Sequence, residues 1–203
     1  MRVRQHEDLF HRLVEGWRRA WQRSDLPVYT CQLSSIGTEK GYRSGYWPLF
    51  RDGQRRLAAQ IPYVGIAVTS DVGHPTDVHP TDKRTVGWRL AREILRQTYR
   101  QNLLAAPRPA RVHRRRAGWV LRLTDVGTGL RTADRQPVRG FAVGDADGPG
   151  QTLTATLRRK RIILKGSLAP ATTYLYYGWQ PFTTANVINS DGLPLTTFRL
   201  PLP

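Results

Sequence analysis

Apolar positions recur at spacings of three and four from His6 to Arg23, where Leu9, Phe10, Leu13, Val14, Trp17 and Trp21 form one stripe and arginines take the other face. That period predicts an amphipathic helix. A short apolar and β-branched run, Pro27 to Leu33, predicts a strand. Tyr46 to Gln60 reads as a second helix and Tyr63 to Thr69 as a second buried strand, and helical spacing returns from Thr81 to Arg100 through Val86, Leu90, Ile94 and Leu95. Helix and strand alternate, as in consecutive units of a parallel α/β sheet. Two strands are too few for such a sheet, so further sequence is expected ahead of residue 1. Beyond Arg116 the pattern changes to short alternating runs punctuated by Gly, Pro and Asp: Gly118 to Val126, Val138 to Val143, Thr152 to Leu157, Arg161 to Lys165 and Thr173 to Trp179. These predict a small antiparallel sandwich of the jelly-roll or immunoglobulin-like kind. The expected division is 1–104 for the α/β part, 105–116 (AAPRPARVHRRR) for a basic linker and 117–203 for the β domain.

Composition narrows the function classes. The 203 residues carry 32 Lys plus Arg against 15 Asp plus Glu, a net charge of +17, with 39% hydrophobic residues. That is a folded chain with a strong basic excess, and the excess predicts salt-sensitive attraction to polyanions. Lysine accounts for only Lys40, Lys83, Lys160 and Lys165, and the arginines run from Arg2 to Arg199. The densest groups are Arg111 with Arg114 to Arg116, and Arg158 to Arg161, expected as two solvated faces because no DNA- or RNA-binding motif accompanies them. No apolar run approaches the roughly 20 residues of a membrane span, and the first ten residues are too charged for an export signal. The compartment is left open. Cys31 is the only cysteine, which excludes an internal disulfide and a Cys-clustered metal site.

The densest candidate chemistry lies in Ser70 to Arg84 (SDVGHPTDVHPTDKR), between the second strand and the third helix. Loops after parallel strands collect catalytic groups. Here His74 and His79 stand among Asp71, Asp77 and Asp82, a pairing suited to a general base and the carboxylate that orients it. Pro80 and Asp82 also suit the entrance of a helix, and His74, Asp77 and His79 are metal-ligand types, though without a recognised metal motif.

DVHPTDKRTVGWRLA (Asp77 to Ala91) resembles the fifth sequence block of SGNH hydrolases in the form seen in sialate O-acetylesterases. LVEGWRRAW, LPVYTCQL and WPLFRDGQRR are similar to the helix, strand and helix that precede it, and Tyr174 to Arg199 is similar to the family's closing signature. The resemblance implies the C-terminal part of an SGNH-type parallel three-layer α/β fold, followed by the β-sandwich. It implies hydrolysis of O-acetyl esters on sialic acid or a related sugar by a Ser-His-Asp mechanism, with no cofactor and no metal. His79 matches the family's general base. The family's aspartate stands three residues before that histidine, where this chain has Thr76, so Asp77 is the expected partner with Asp71 in reserve. Gln32, at the end of the first strand, is the candidate substrate contact.

The family's Gly-Asp/Gln-Ser nucleophile block has no counterpart here, and Ser24, Ser34, Ser35, Ser44, Ser70, Ser167 and Ser190 do not stand in such a setting. The expected protein is therefore the C-terminal portion of an esterase, carrying the base but not the nucleophile and inactive or nearly so alone, either a truncated gene product or one part of a split protein completed by a separate chain that supplies the serine. Trp17, Trp21, Trp47 and Trp88 are expected to pack rather than to hold sugar. Trp179, Asn186 and Asn189 are further candidates for substrate contact, with Asn189 to Gly192 first a turn signal. A non-catalytic module binding glycans or polyanions through its β half is the alternative reading, with specific nucleic-acid binding and membrane association not expected.

Overall fold

The helical periods become α1 (Arg2–Ala20), α2 (Trp47–Gln60) and α3 (Lys83–Gln97), and the two apolar runs become β1 (Val28–Cys31) and β2 (Val64–Ala67). The computed structural model describes residues 2–116, 118–166 and 172–203. Pro48 sits in the first turn of α2, where its missing N–H costs nothing. Asp82 caps α3 by accepting the Thr85 N–H at 3.0 Å. β1 and β2 pair in parallel with Val28 opposite Val64 and Cys31 opposite Ala67. Strand alternation then gives the ribbon two faces. Val28 and Val64 cluster with Val14 of α1, Leu57 of α2 and Ile61 just after it. Tyr29 and Gly65 turn toward α3: the Tyr29 hydroxyl lies 2.6 Å from Thr98 Oγ1, and a Cβ on Gly65 would collide with Tyr29 and Gln97.

The expected parallel three-layer α/β fold of SGNH hydrolases is not what forms. Parallel pairing stops at these two strands, and the ten that follow all pair antiparallel, so the chain is mostly antiparallel β with three α-helices. The reason is visible in residue alternation. Several of the later runs alternate exposed and less exposed positions, as in Thr154–Arg158 and Arg161–Lys165, the pattern of an antiparallel sheet with one face on a core.

Those strands are β3 (Arg108–Arg115), β4 (Gly118–Thr124), β5 (Arg131–Thr132), β6 (Phe141–Gly144), β7 (Pro149–Thr152), β8 (Thr154–Arg158), β9 (Arg161–Lys165), β10 (Tyr174–Tyr177), β11 (Val187–Ile188) and β12 (Phe198–Pro201). They form one sheet in the order β3-β4-β9-β8, a second in the order β12-β10-β6-β7, and a short β11-β5 pair. Trp119, Leu121, Ile162 and Leu164 of the first sheet share a core with Phe141, Val143, Leu175, Tyr177 and Phe198 of the second. The stretch expected as a linker, 105–116, instead holds β3, which pairs with β4 along its length. Its basic residues hid the strand.

The helical half and the β half interlock. Arg51 of α2 is fully buried and donates to the carbonyls of Gly178 (3.0 Å), Gln180 and Pro181 (3.2 Å). Asn189, also fully buried, donates to Ala105 O at 3.0 Å and Asp125 O at 2.8 Å while its Oδ1 accepts the N–H groups of Asp191 and Leu193. Arg92 pairs with Asp191 across the same boundary. The apolar stripe of α1 is only partly used: Val14 is buried, but Leu9, Leu13, Trp17 and Trp21 form an exposed ridge, with Trp21 69% exposed. Trp88 on α3 is exposed as well.

Asp134 ties the β5 turn to the strands around it. Its carboxylate accepts from Arg139, from Asn186 Nδ2 at 2.9 Å and from the Gln136 N–H at 3.1 Å. These bonds, Arg139 first, hold its pKa at about 2 instead of the ordinary 3.8. A depressed folded-state pKa gives stability that is present above the ordinary value and lost as pH falls through the folded one. Asp134→Asn is therefore expected to flatten the loss of stability between about pH 4 and 2, read as the urea midpoint against pH.

Candidate active site

Two loops build the site, one after each parallel strand. Residues 34–37 and 72–75 run side by side, with Ile36 and His74 forming an isolated parallel bridge. The His74 N–H donates to Ser35 O at 3.1 Å and the Gly37 N–H to Pro75 O at 2.8 Å. Ser35 Oγ donates to Ser70 O at 2.6 Å, and Thr69 Oγ1 donates to Gln32 O. The approach is too close for side chains. A Cβ on Gly73 would stand 1.9 Å from Ser35 O, and one on Gly37 would stand 2.5 Å from Pro75 O. Backbone atoms cannot yield as a flexible side chain can, so Gly73→Ala must part the loops. The expected cost is about 1–3 kcal/mol, seen as a thermal midpoint lowered by roughly 2–12 °C.

The same loops are anchored below. Asp71, the reserve partner for His79, is instead held by Arg89 of α3 in a two-pronged ion pair at 2.5 and 2.7 Å. Arg89 also donates to Val68 O at 2.8 Å. This geometry commits Asp71 to fixing the post-β2 loop on α3 and leaves Asp77 as the carboxylate near His79.

His79 and Asp77 lie in the exposed stretch leading to the Asp82 cap. Asp77 Oδ1 accepts the His79 backbone N–H at 2.8 Å and stands 3.4 Å from His79 Nδ1. These contacts, the backbone bond first, hold the Asp77 carboxyl below its usual pKa. A carboxylate beside Nδ1 favours the tautomer with its proton on that nitrogen, which leaves Nε2 as the basic atom. Among the described residues Nε2 has no hydrogen-bond partner. The contact is long, but such bonds commonly tighten only when a site closes around its substrate. The His79 side chain is 86% exposed and Asp77 54%, so the pair is presented to solvent rather than enclosed.

The other candidates fall elsewhere. His74 Nδ1 accepts the Thr76 N–H at 3.2 Å, a turn contact that does not involve His79. Gln32 is buried, its Nε2 donating to Arg51 O at 3.1 Å, and the structure does not bring it to the surface that carries His79. Asn186 and Asn189 spend their amides on backbone and on Asp134. Trp179 packs edge-on against Tyr176, with the Arg199 guanidinium 5.9 Å from its ring. Among the described residues no serine hydroxyl contacts either histidine, and Ser167 lies outside them. No group of three or more His, Cys, Asp or Glu there is arranged to hold a metal ion. A concavity of about 540 Å³, lined in part by Asp25, Tyr29, Tyr63 and Thr98, opens at the other end of the parallel strands, away from the His79 loop.

Comparison with solved structures bears on this geometry. The chain superposes on the crystal structure of XAC1771, described as a novel carbohydrate acetylesterase from Xanthomonas citri, with a TM-score of 0.86 and 32% sequence identity over 97% of its length. The chain is similar to that acetylesterase in sequence and fold. It spans 46% of the Xanthomonas citri chain, about half its length. No family model matches this sequence, and no curated protein does.

The acetylesterase-like likeness extends through both the parallel ribbon and the antiparallel sheets, because nearly the whole chain is covered. Residues that sequence reasoning missed are Arg89 and Gly73, which support the loops, and Arg51, which joins the two halves behind them. A buried arginine on a helix has the same spacing signature as a surface one, and only packing separates them.

Proposed function

We propose that this chain is the base-bearing part of a carbohydrate O-acetyl esterase, with His79 as general base and Asp77 as its orienting carboxylate. The observation that carries the reading is the Asp77–His79 contact on a braced loop, in a chain 32% identical to a carbohydrate acetylesterase over 97% of its length. His79 Nε2 takes the proton of an attacking serine hydroxyl as that oxygen bonds to the acetyl carbonyl carbon. It then returns the proton to the sugar oxygen as the C–O ester bond breaks, leaving an acetyl-serine that water hydrolyses by the same proton relay. The narrower assignment to sialic acid or a related sugar rests on the motif resemblance of residues 77–91 and 174–199.

The serine comes from a polypeptide outside these 203 residues. An imidazole that is 86% exposed lacks the water-excluding wall that strengthens acid–base chemistry, and the uncovered apolar ridge of Leu9, Leu13, Trp17 and Trp21 is surface of the kind that marks an interface. The test is acetate release from 4-nitrophenyl acetate and from an O-acetylated sugar. The chain alone is expected to give none above background, and co-expression with a polypeptide bearing the Gly-Asp/Gln-Ser block is expected to restore release. Continued silence in every such pairing would contradict the proposal.

A further inference from the structure

The two basic clusters that the sequence suggests are separate faces both contribute to one. In the β3-β4-β9-β8 sheet, Arg111 stands directly opposite Arg122, Arg122 opposite Arg161, and Arg161 opposite Arg158. Directly opposed residues project from the same face, so four exposed arginines form a row across four strands, about 14 Å long at the usual strand pitch. His113 and Arg115, two and four residues from Arg111 on β3, share that face, as does Lys165. None of the four strands contains an aspartate or glutamate. Among the described residues, the four arginines of the row make no ion pair. Arg122, Arg158, Arg159, Lys160 and Arg161 also line a concavity of about 500 Å³. Like charges directly opposite one another oppose sheet formation, so the row is an arrangement that a bound anion would stabilise. His113 registers the field: partial burial and then Arg111, Arg122 and Arg115 hold it below its ordinary pKa.

We propose that this outer face binds a polysaccharide bearing carboxylates, laid across the strands with its carboxylates on the guanidinium row. The guanidinium fork matches a carboxylate in two-pronged geometry, and a uronic acid chain carries one carboxylate per sugar, a repeating negative charge to meet a row of positive ones. Nucleic acid fits less well. The face offers no Phe, Tyr or Trp on which bases could stack, and a sheet face offers no helix to enter a groove. The site is independent of His79 and lies on the half of the molecule built from antiparallel strands.

The test is calorimetric binding of de-esterified polygalacturonate to the whole chain at low and moderate salt, with dextran and oligothymidylate as comparison ligands. Wild type is expected to bind polygalacturonate, to ignore dextran, and to bind oligothymidylate more weakly. R122Q/R161Q and R111Q/R158Q are each expected to weaken binding tenfold or more and to lessen its salt dependence, with thermal midpoints unchanged or raised. The charge-matched variant R4Q/R12Q on α1 and His79→Ala are expected to stay within twofold of wild type. No binding by wild type, an equal loss in R4Q/R12Q, loss in His79→Ala, affinity within twofold in the row variants, or tighter binding of oligothymidylate would each overturn the proposal.

Discussion

Arg51→Ala is expected to lower stability by about 3–5 kcal/mol, the penalty of removing one side of a buried charged network. The guanidinium is fully buried, and no carboxylate pairs with it among the described residues. Its hydrogen-bond partners are the carbonyls of Gly178, Gln180 and Pro181. Burial lowers its pKa to about 10, so it stays charged at neutral pH. Alanine would strand three buried acceptors and leave a void between α2 and the tail that follows β10. Lysine would not repair this, because a single ammonium cannot reproduce the fork that reaches three carbonyls. Both variants should therefore unfold at lower temperature, Arg51→Ala by roughly 6–20 °C for a chain of this size. A loss below about 1 kcal/mol in chemical denaturation would show that the two halves are not held together through this residue.

His79→Ala is expected to reduce acetate release by the complemented esterase about 10²–10⁴-fold, the usual contribution of a positioned acid–base group, with no change in thermal midpoint. Its side chain is so exposed that its removal costs the fold little, which separates chemistry from stability. Asp77→Asn should also lower the rate, because an amide can no longer hold the proton on Nδ1. It keeps an oxygen for the His79 N–H at that turn, so the loop geometry should survive. Asp71→Asn should act differently. By weakening the Arg89 pair it should lower the midpoint, since Asp71 braces the loop and does not touch the ring.

Much of the secondary structure was legible because period alone decided it. The spacing in Tyr46 to Gln60 and Thr81 to Arg100 became α2 and α3 within a few residues, and Arg161 to Lys165 became β9 without change. β3 was hidden because Pro109 and four arginines outweighed Ala110 and Val112 in its eight residues. The parallel fold class failed on a count. Two runs looked like units of a larger parallel sheet, but period cannot say how many neighbours a strand finds. The stripe on α1 shows the same limit, since amphipathicity marks an apolar face without naming what covers it: Val14 found a core and Trp21 did not. At the candidate site, residue type singled out the His79 loop, and three-dimensional contacts show which partners its carboxylates take. Asp71 was drawn to Arg89 from 18 positions along the chain and Asp82 to the helix end, both invisible to spacing. Gln32 shows the converse, a polar residue at a strand end that the structure buries with its Nε2 on the Arg51 carbonyl.

The most direct measurement is rescue of His79→Ala by added imidazole in the complemented esterase, following acetate release against imidazole concentration and pH. A base at position 79 predicts a rate that rises with the free-base form of imidazole, together with no such response in the unsubstituted protein. Release by His79→Ala at the full rate, or a loss that imidazole leaves untouched, would contradict the assignment of proton transfer to this ring.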